Sequence, residues 1–348
     1  MKVGIIGCGM IAIKRHFCEM ADNPNVELVG CCDYVPERAA QMAQQYGCKA
    51  YPDHKAMLAG ARPDAVVVCS NNATHRQMTV DAFEAGAHVL CEKPMSVSLE
   101  DAAAMIEMGK KTGKKLMIAH NQRMSAAYRK AKKILASGEL GKVLTFRTVF
   151  GHPGCEFWAI DGTSSWFFDK SLAAFGCVAD LGVHKVDLMR WLLDEEFDEV
   201  CAYCATLDKH TPDGAPVSVE DNMVGIMRSR SGIIGTIATS WTYYGPEDNS
   251  SIFYCRNGIL RVCDDPDYQV IINCPDGTNE LHMTGGVGSN DKPIKTGIDD
   301  EFINAILEDR EPAISGEEGY NSLAVAIALD TSSRNRNTTK VQQYPAKQ

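Results

Sequence analysis

Lys93 stands directly before Pro94, in the motif Cys91-Glu92-Lys93-Pro94 that ends the apolar run Ala87-His88-Val89-Leu90-Cys91. Further along, the stretch Val178-Ala179-Asp180-Leu181-Gly182-Val183-His184-Lys185-Val186-Asp187 spaces Asp180, His184 and Asp187 at i, i+4 and i+7, one face of a helix. Trp191 and the apolar positions share that face, so these ionisable groups are expected to point inward. A carboxylate, an imidazole that titrates near neutrality and a cation together suit proton transfer at a hydroxyl. His184 would be the base, Asp180 would orient the substrate or relay the proton, and Lys93 would stabilise the developing alkoxide. Singly, each has a blander reading: an ordinary turn with a solvated lysine, a capping aspartate, a core histidine.

The elements that must position these groups follow from the apolar pattern. Short apolar runs at 3–6, 26–32, 65–69, 89–91 and 116–119 alternate with helical stretches such as 37–45, 75–85 and 99–112. That alternation predicts an α/β fold, with an N-terminal doubly wound parallel sheet over residues 1–122. Ligands bind such sheets at the carboxyl ends of the strands, where Lys93 falls. Residues 123–348 read differently: a helix at 128–137, a strand at 143–150, a loop rich in glycine and aromatics over 151–175, and a helix over 177–193. Successive strands then follow at 199–206, 222–229, 232–242, 251–254, 260–263 and 269–272, which predicts a C-terminal α+β half with a large open, mostly antiparallel sheet. Closing helices at 297–307 and 316–334 can pack back on the first half.

Gly7, Gly9 and Ala12 match the dinucleotide turn G-x-G-x-x-G/A after a strand and before a helix. The first glycine makes the turn, the second admits the pyrophosphate, and the small third residue packs helix on strand. Asp33 ends the second strand, where a carboxylate accepts from both ribose hydroxyls and repels a 2′-phosphate. NAD is therefore expected over NADP; an FAD site or an empty scaffold of the same shape are the alternatives. Arg38 could serve a phosphate but lies about a helical turn further on.

The formal charge of −10, from 35 basic and 45 acidic residues, argues against nucleic acid or an anionic membrane as partner. No apolar stretch reaches spanning length, and the first apolar run meets a glycine turn at once, as a strand does and a signal peptide does not. The 14 cysteines fall mostly inside apolar runs, which suits a cytoplasmic location. Cys201-Ala202-Tyr203-Cys204 has no partner pair at zinc-ribbon spacing, so no metal site is expected.

Taken together, these residues resemble the Gfo/Idh/MocA group of NAD(P)-dependent oxidoreductases, named for glucose-fructose oxidoreductase, inositol dehydrogenase and rhizopine catabolism. The resemblance runs over nearly the whole chain. It takes in the Gly7–Ala12 turn, Cys69-Ser70-Asn71-Asn72-Ala73-Thr74-His75, Glu92-Lys93-Pro94, Asp180-x-x-x-His184, Glu220-Asp221-Asn222, and the Phe302, Pro312 and Ser315-Gly316 closing pattern. It implies a Rossmann domain, a C-terminal domain with an open sheet, and a homodimer or homotetramer built through that sheet. It also implies Lys93, Asp180 and His184 as the catalytic set. Cofactor contacts are expected at Gly7, Gly9, Met10, Ile11, Asp33, Arg38, Ser70, Asn72, His75, Glu92, Lys93 and Asn121. Two departures stand out: bulky Phe175 where the family backbone is bare, and Asn71 where proline is common.

For substrate, Lys93, Arg123, His152, Trp166, Asp180 and His184 are the expected contacts, with Trp158, Phe167, Trp241 and Tyr243 as further aromatic faces. Aromatic faces stack on the apolar face of a sugar or cyclitol ring, and Lys93, Arg123 and Asn121 can hold hydroxyls. The expected reaction is oxidation of a secondary ring alcohol, with C3 of a glucose-type ring favoured. Inositol 2-dehydrogenation and nucleotide-sugar oxidation are the alternatives, the latter disfavoured by the lack of an arginine cluster. A non-catalytic NAD or sugar sensor is the competing class, and it would not need Lys93, Asp180 and His184 together.

Overall fold

The computed structural model describes residues 1–285 and 295–345. β1 (Lys2–Ile6) runs through the glycine turn into a helix that opens with a π-type turn, Ala12–His16, and continues as α1 (Phe17–Asp22). Then come β2 (Glu27–Cys32), α2 (Pro36–Tyr46), β3 (Lys49–Tyr51), α3 (His54–Ala61), β4 (Ala65–Val68), α4 (His75–Glu84), β5 (His88–Cys91), α5 (Leu99–Thr112) and β6 (Leu116–Ile118). The strands form one parallel sheet in the order β3-β2-β1-β4-β5-β6. β4 is buried along its whole length, as a strand covered on both faces must be. Gly7 has φ +93°, and a Cβ there would lie 2.5 Å from the Cys69 carbonyl oxygen, so only glycine closes this turn.

The second half begins with α6 (Ala126–Ser137) and β7 (Val143–Gly151), and the long loop beyond holds only α7 (Lys170–Ala173) and short 3-10 turns. A π-type turn, Val178–Gly182, feeds α8 (Val183–Leu193). β8 (Phe197–Ala205), β9 (Asn222–Ser229), β10 (Ile234–Ser240), β11 (Ser251–Cys255), β12 (Gly258–Val262), β13 (Val270–Asn273) and β14 (Asn279–His282) follow, then α9 (Ile298–Leu307), α10 (Gly316–Asn335) and β15 (Thr339–Lys340). The sheet order is β14-β13-β12-β11-β7-β10-β9-β8-β15, antiparallel except where β7 meets β10. α6, α8 and α10 pack on one face of this sheet. β9 shows the resulting alternation, with Met223 and Met227 buried and Val224 and Ile226 exposed on the opposite face.

Two apolar cores result. Ile298, Phe302 and Ile303 of α9 join the core of the parallel sheet. α10 serves both: Tyr320, Leu323 and Ala324 belong to the first core, Val325, Ala328 and Leu329 to the second. The structure adds elements that the apolar pattern misses. β3 and α3 were not expected, because β3 is a three-residue edge strand with no buried position. The expected helix over 177–193 is not uniform, since its first turn is π-wound.

Candidate active site

A cavity of about 430 Å³ opens where the strand ends of the parallel sheet face the amino end of α8. Gly9, Met10 and Ile11 after β1, Ser70 after β4, Glu92 and Lys93 after β5 and Asn121 after β6 line one side. Phe150, His152, Trp158, Trp166, Asp180 and His184 line the other.

Lys93 and Asp180 meet across this cavity. The Lys93 Nζ donates to the Asp180 carboxylate at 3.1 Å and to its backbone carbonyl at 3.0 Å, and the Lys93–Pro94 peptide is cis. The other Asp180 oxygen accepts from the indole N–H of fully buried Trp241 at 3.1 Å. His184 is buried, with its Nδ1 lacking any protein partner and its ring against Phe150 and His120. Burial, reinforced by the nearby Lys93 cation, holds His184 well below the usual histidine range. The imidazole is therefore neutral at neutral pH and free to accept a proton.

Three supports hold this group in place. Glu220 accepts from the amides of Gly176 and Val178 at 2.7 and 3.1 Å, capping the π turn that carries Asp180. A Cβ on Gly176 would fall 1.9 Å from the Glu220 carbonyl oxygen, so the close approach needs glycine. Beneath the site, Asp187 takes a bidentate pair from Arg123 at 2.7 and 2.6 Å, and Arg123 also reaches Glu318 at 2.6 Å. Behind Lys93, Glu92 accepts from Arg15 and His16 at 3.1 Å each and from the Lys93 amide at 3.0 Å. Burial pushes the Glu92 carboxyl up, but His16, Arg15 and Lys93 outweigh it and bring it down to about 2. The other His16 nitrogen pairs with Asp299 of α9 at 2.7 Å.

The opposite end of the cavity suits a dinucleotide. A Cβ on Gly9 would meet nothing within 4 Å, which leaves its backbone bare toward the cavity. Asp33 accepts from the Cys8 amide at 2.7 Å and from Val35 at 2.8 Å, so its carboxylate is fixed beside the glycine turn. Nearer Lys93, beyond the neighbouring strand β6, Asn121 contributes a buried Oδ1 without a partner. Such an orphaned acceptor fits a donor from a bound molecule.

Not every expected residue faces the cavity. Gly7 and Asp33 do not line the cavity, while Gly9, Met10, Ile11, Arg38, Ser70, Asn72, His75, Glu92, Lys93 and Asn121 do. Of the lining residues, Asn72 uses its amide on the Ala173 carbonyl at 2.9 Å, and buried His75 spans the Ser70 and Pro94 carbonyls at 3.0 and 2.9 Å. Both therefore brace the loops on either side. Arg123 lies outside the cavity, because Asp187 and Glu318 take up its guanidinium; the expectation that it holds a substrate hydroxyl is corrected. Asp187 likewise belongs to the foundation, although it shares the helical face of Asp180 and His184. Trp241 is a prop for Asp180, and half-exposed Tyr243 packs against Gly151 rather than into the cavity. His152 accepts from the Gly154 amide through Nδ1 at 3.0 Å, which leaves the proton on its Nε2. Phe175 does sit in the cavity wall.

Sequence reasoning missed Arg15, His16, His120 and Asp161. His120, packed edge-on to His184, is brought down to about 4, chiefly by burial. A signal existed for Arg15 and His16, since two basic residues early in the helix after a dinucleotide turn need a counter-charge. Nothing marked Asp161.

Residues 1–120 match the profile of an oxidoreductase family with an NAD-binding Rossmann fold. Residues 128–261 match that of the GFO/IDH/MocA C-terminal domain. The D-glucoside 3-dehydrogenase of Escherichia coli K12 is 30% identical over 254 residues, covering 69% of this chain and 70% of that protein. The myo-inositol 2-dehydrogenase of Thermotoga maritima is 27% identical over 99% of both chains. Among solved structures, a levoglucosan dehydrogenase in complex with NADH and levoglucosan superimposes with a TM-score of 0.87 at 24% identity, over 99% of this chain and 100% of that one.

Proposed function

The chain belongs to the Gfo/Idh/MocA family of oxidoreductases, and from that membership we propose that it oxidises a secondary ring alcohol of a sugar, glycoside or cyclitol with NAD, C3 of a glucose-type ring being the favoured position. The observation that carries this is the contact of Lys93 with Asp180 beside a buried, neutral His184, in one cavity with the glycine turn. Bound NAD supplies the hydride acceptor. Lys93 has three N–H donors and spends two on Asp180, so one remains for the substrate oxygen. As the carbon loses hydride, the hydroxyl proton passes to His184, and the Lys93 charge stabilises the oxygen while it is anionic. Asp180, fixed by Trp241, keeps the lysine aimed. Trp166 stacks on Phe167 with centroids 4.0 Å apart, and Phe157 stands 71% exposed where the cavity meets solvent. That open aromatic mouth leaves room for the aglycone of a glycoside, which supports the glucoside reading over a closed cyclitol pocket.

The test is turnover. The protein is mixed with NAD and, in turn, glucosides, anhydrosugars, inositols and nucleotide sugars, and reduced nicotinamide is followed by its absorbance. Glucosides should give the highest kcat/KM. Tight NAD binding without turnover on any of them would favour a sensor.

The same reading extends to assembly and location. The outer face of the nine-stranded sheet exposes Leu144, Tyr203, Val224, Ile226 and Ile234, an apolar surface that a monomer would leave in water. A second copy packed face to face would cover it, giving a homodimer or a homotetramer. Light scattering should report an oligomer that Ile226→Lys dissociates. Among the described residues no disulfide links the cysteines and no helix is long and apolar enough to cross a membrane. The thiols suit a reducing cytoplasm.

A further inference from the structure

Arg38 lies in the first turns of α2, lines the cavity, and is bonded through Nη2 to a carboxylate from the other half of the molecule, Asp161. Asp161 sits in the aromatic loop between β7 and α7, three residues beyond Trp158. The pair thus ties the substrate loop to the cofactor half, beside the end of β2. Asp33 and Tyr34 flank the same guanidinium, with the Tyr34 ring centroid 5.7 Å from it.

This end of the fold receives the ribose nearest the adenine, whose hydroxyls meet the carboxylate that follows β2. A 2′-phosphate would bring up to two negative charges there. Of the cations that line the cavity, Arg15 pairs with Glu92 and Lys93 with Asp180, and Arg38 is the one that stands beside Asp33 and Tyr34. Asp161 already holds it.

We propose that Asp161 is a cofactor-selectivity residue: by occupying Arg38 from across the cleft, it denies a 2′-phosphate its cation and so enforces NAD together with Asp33. This rests on the NAD reading above. It also assigns the substrate loop a second duty, since a residue of that loop helps to choose the cofactor. Nothing in the Asp161-Gly162-Thr163 sequence suggests this; only the fold brings Asp161 to Arg38.

The test measures equilibrium binding of NADH and NADPH by nicotinamide fluorescence, with no substrate present. Asp161→Asn keeps the shape and removes the charge. Its NADPH affinity should rise roughly tenfold, the effect of one charge contact at a partly buried site, while NADH affinity changes by less than about threefold. Arg38→Gln breaks the same ion pair but removes the cation, so it should show no NADPH gain. A purely mechanical role for the pair, in closing the loop, would make the two variants behave alike toward both cofactors and would overturn the proposal. An unchanged NADPH-to-NADH ratio in Asp161→Asn would overturn it too. Wild-type protein that bound neither nucleotide would instead sink the NAD reading itself.

Discussion

Glu92 and Lys93 are neighbours in one short motif, yet they serve opposite ends. Glu92 turns away from the cavity centre into a buried cluster where Arg15, His16 and the Lys93 amide occupy its oxygens, and His16 passes the contact on to Asp299. Lys93 turns the other way, toward Asp180 and a region of polar atoms without protein partners: His184 Nδ1, Asn121 Oδ1 and Trp158 Nε1. Buried polar groups cost free energy unless they are paired. The Glu92 cluster pairs its ionised groups with one another, leaving only Arg15 Nε and Asp299 Oδ2 without partners, and acts as a foundation. A cluster that leaves donors and acceptors open in a cavity is built for a molecule that will pair them.

The sharpest way to break this contrast is to remove the chemical member and leave the foundation intact. Lys93→Met keeps length and removes charge. It should lower kcat by roughly 10³-fold, the loss expected when a group that stabilises the developing oxyanion is deleted. NADH affinity should move by less than about threefold, because Met10, Ile11 and Asp33 are untouched. A variant that keeps a tenth or more of the wild-type kcat would end the assignment of Lys93 to chemistry.

Glu92→Gln probes the other side and should appear mainly in stability. It leaves Arg15 and His16 buried beside each other without their carboxylate, a change that costs about 3 kcal/mol for a broken buried pair. Urea unfolding reads this directly. The pH dependence follows in sign. Glu92 titrates at about 2 in the folded chain against an ordinary 4.5, so its contribution is complete above that ordinary value and disappears as pH falls through the folded one. The variant should lack that acid-side slope. A Glu92→Gln protein as stable as the parent, but inactive, would reverse the two roles.

How much of this was legible beforehand divides along the same line. Lys93, Asp180 and His184 could be grouped beforehand because one motif and one stretch of helix carry them, and the structure brings all three into one cavity. Gly7 and Gly9 could be found because the turn after β1 closes only on a glycine at the first and leaves the backbone bare toward the cavity at the second. The parallel and antiparallel halves were visible in the change of apolar period near residue 122. The foundation was not visible, because it consists of pairs distant in sequence: Arg123 meets Asp187, His16 meets Asp299 and Arg38 meets Asp161 only after folding. Arg123 was assigned to substrate for that reason, since a buried arginine and a ligand-binding arginine look alike until the carboxylate beside one of them is seen. The π turn at Val178–Gly182 was also out of reach, because helical spacing assumes a uniform turn.

His184 offers a pH test of the open side. Its proton affinity is depressed first by burial and then by the Lys93 charge, so the neutral form persists to lower pH than for an ordinary histidine. kcat/KM should run flat through pH 6.5 and fall only well below it. An inflection near 6.5 would mean that His184 meets solvent freely and is not part of the enclosed group. Lys93→Met should move any acid limb to higher pH, because it removes a cation that opposes protonation.

The smallest effect, and the one that says most about substrate, concerns Phe157 at the mouth. It is 71% exposed, so little packing is lost on truncation and the fold should not notice Phe157→Ala. A ring that stacks on an aglycone is worth about 1 kcal/mol, or several-fold in KM. KM should therefore rise several-fold for aryl glucosides and stay unchanged for free glucose and inositol, which carry nothing to reach the mouth. Lys93→Met, by contrast, should depress turnover of all three alike. An equal rise for all three substrates would show that Phe157 shapes the whole pocket, and the division between a general chemical centre and a selective rim would fail.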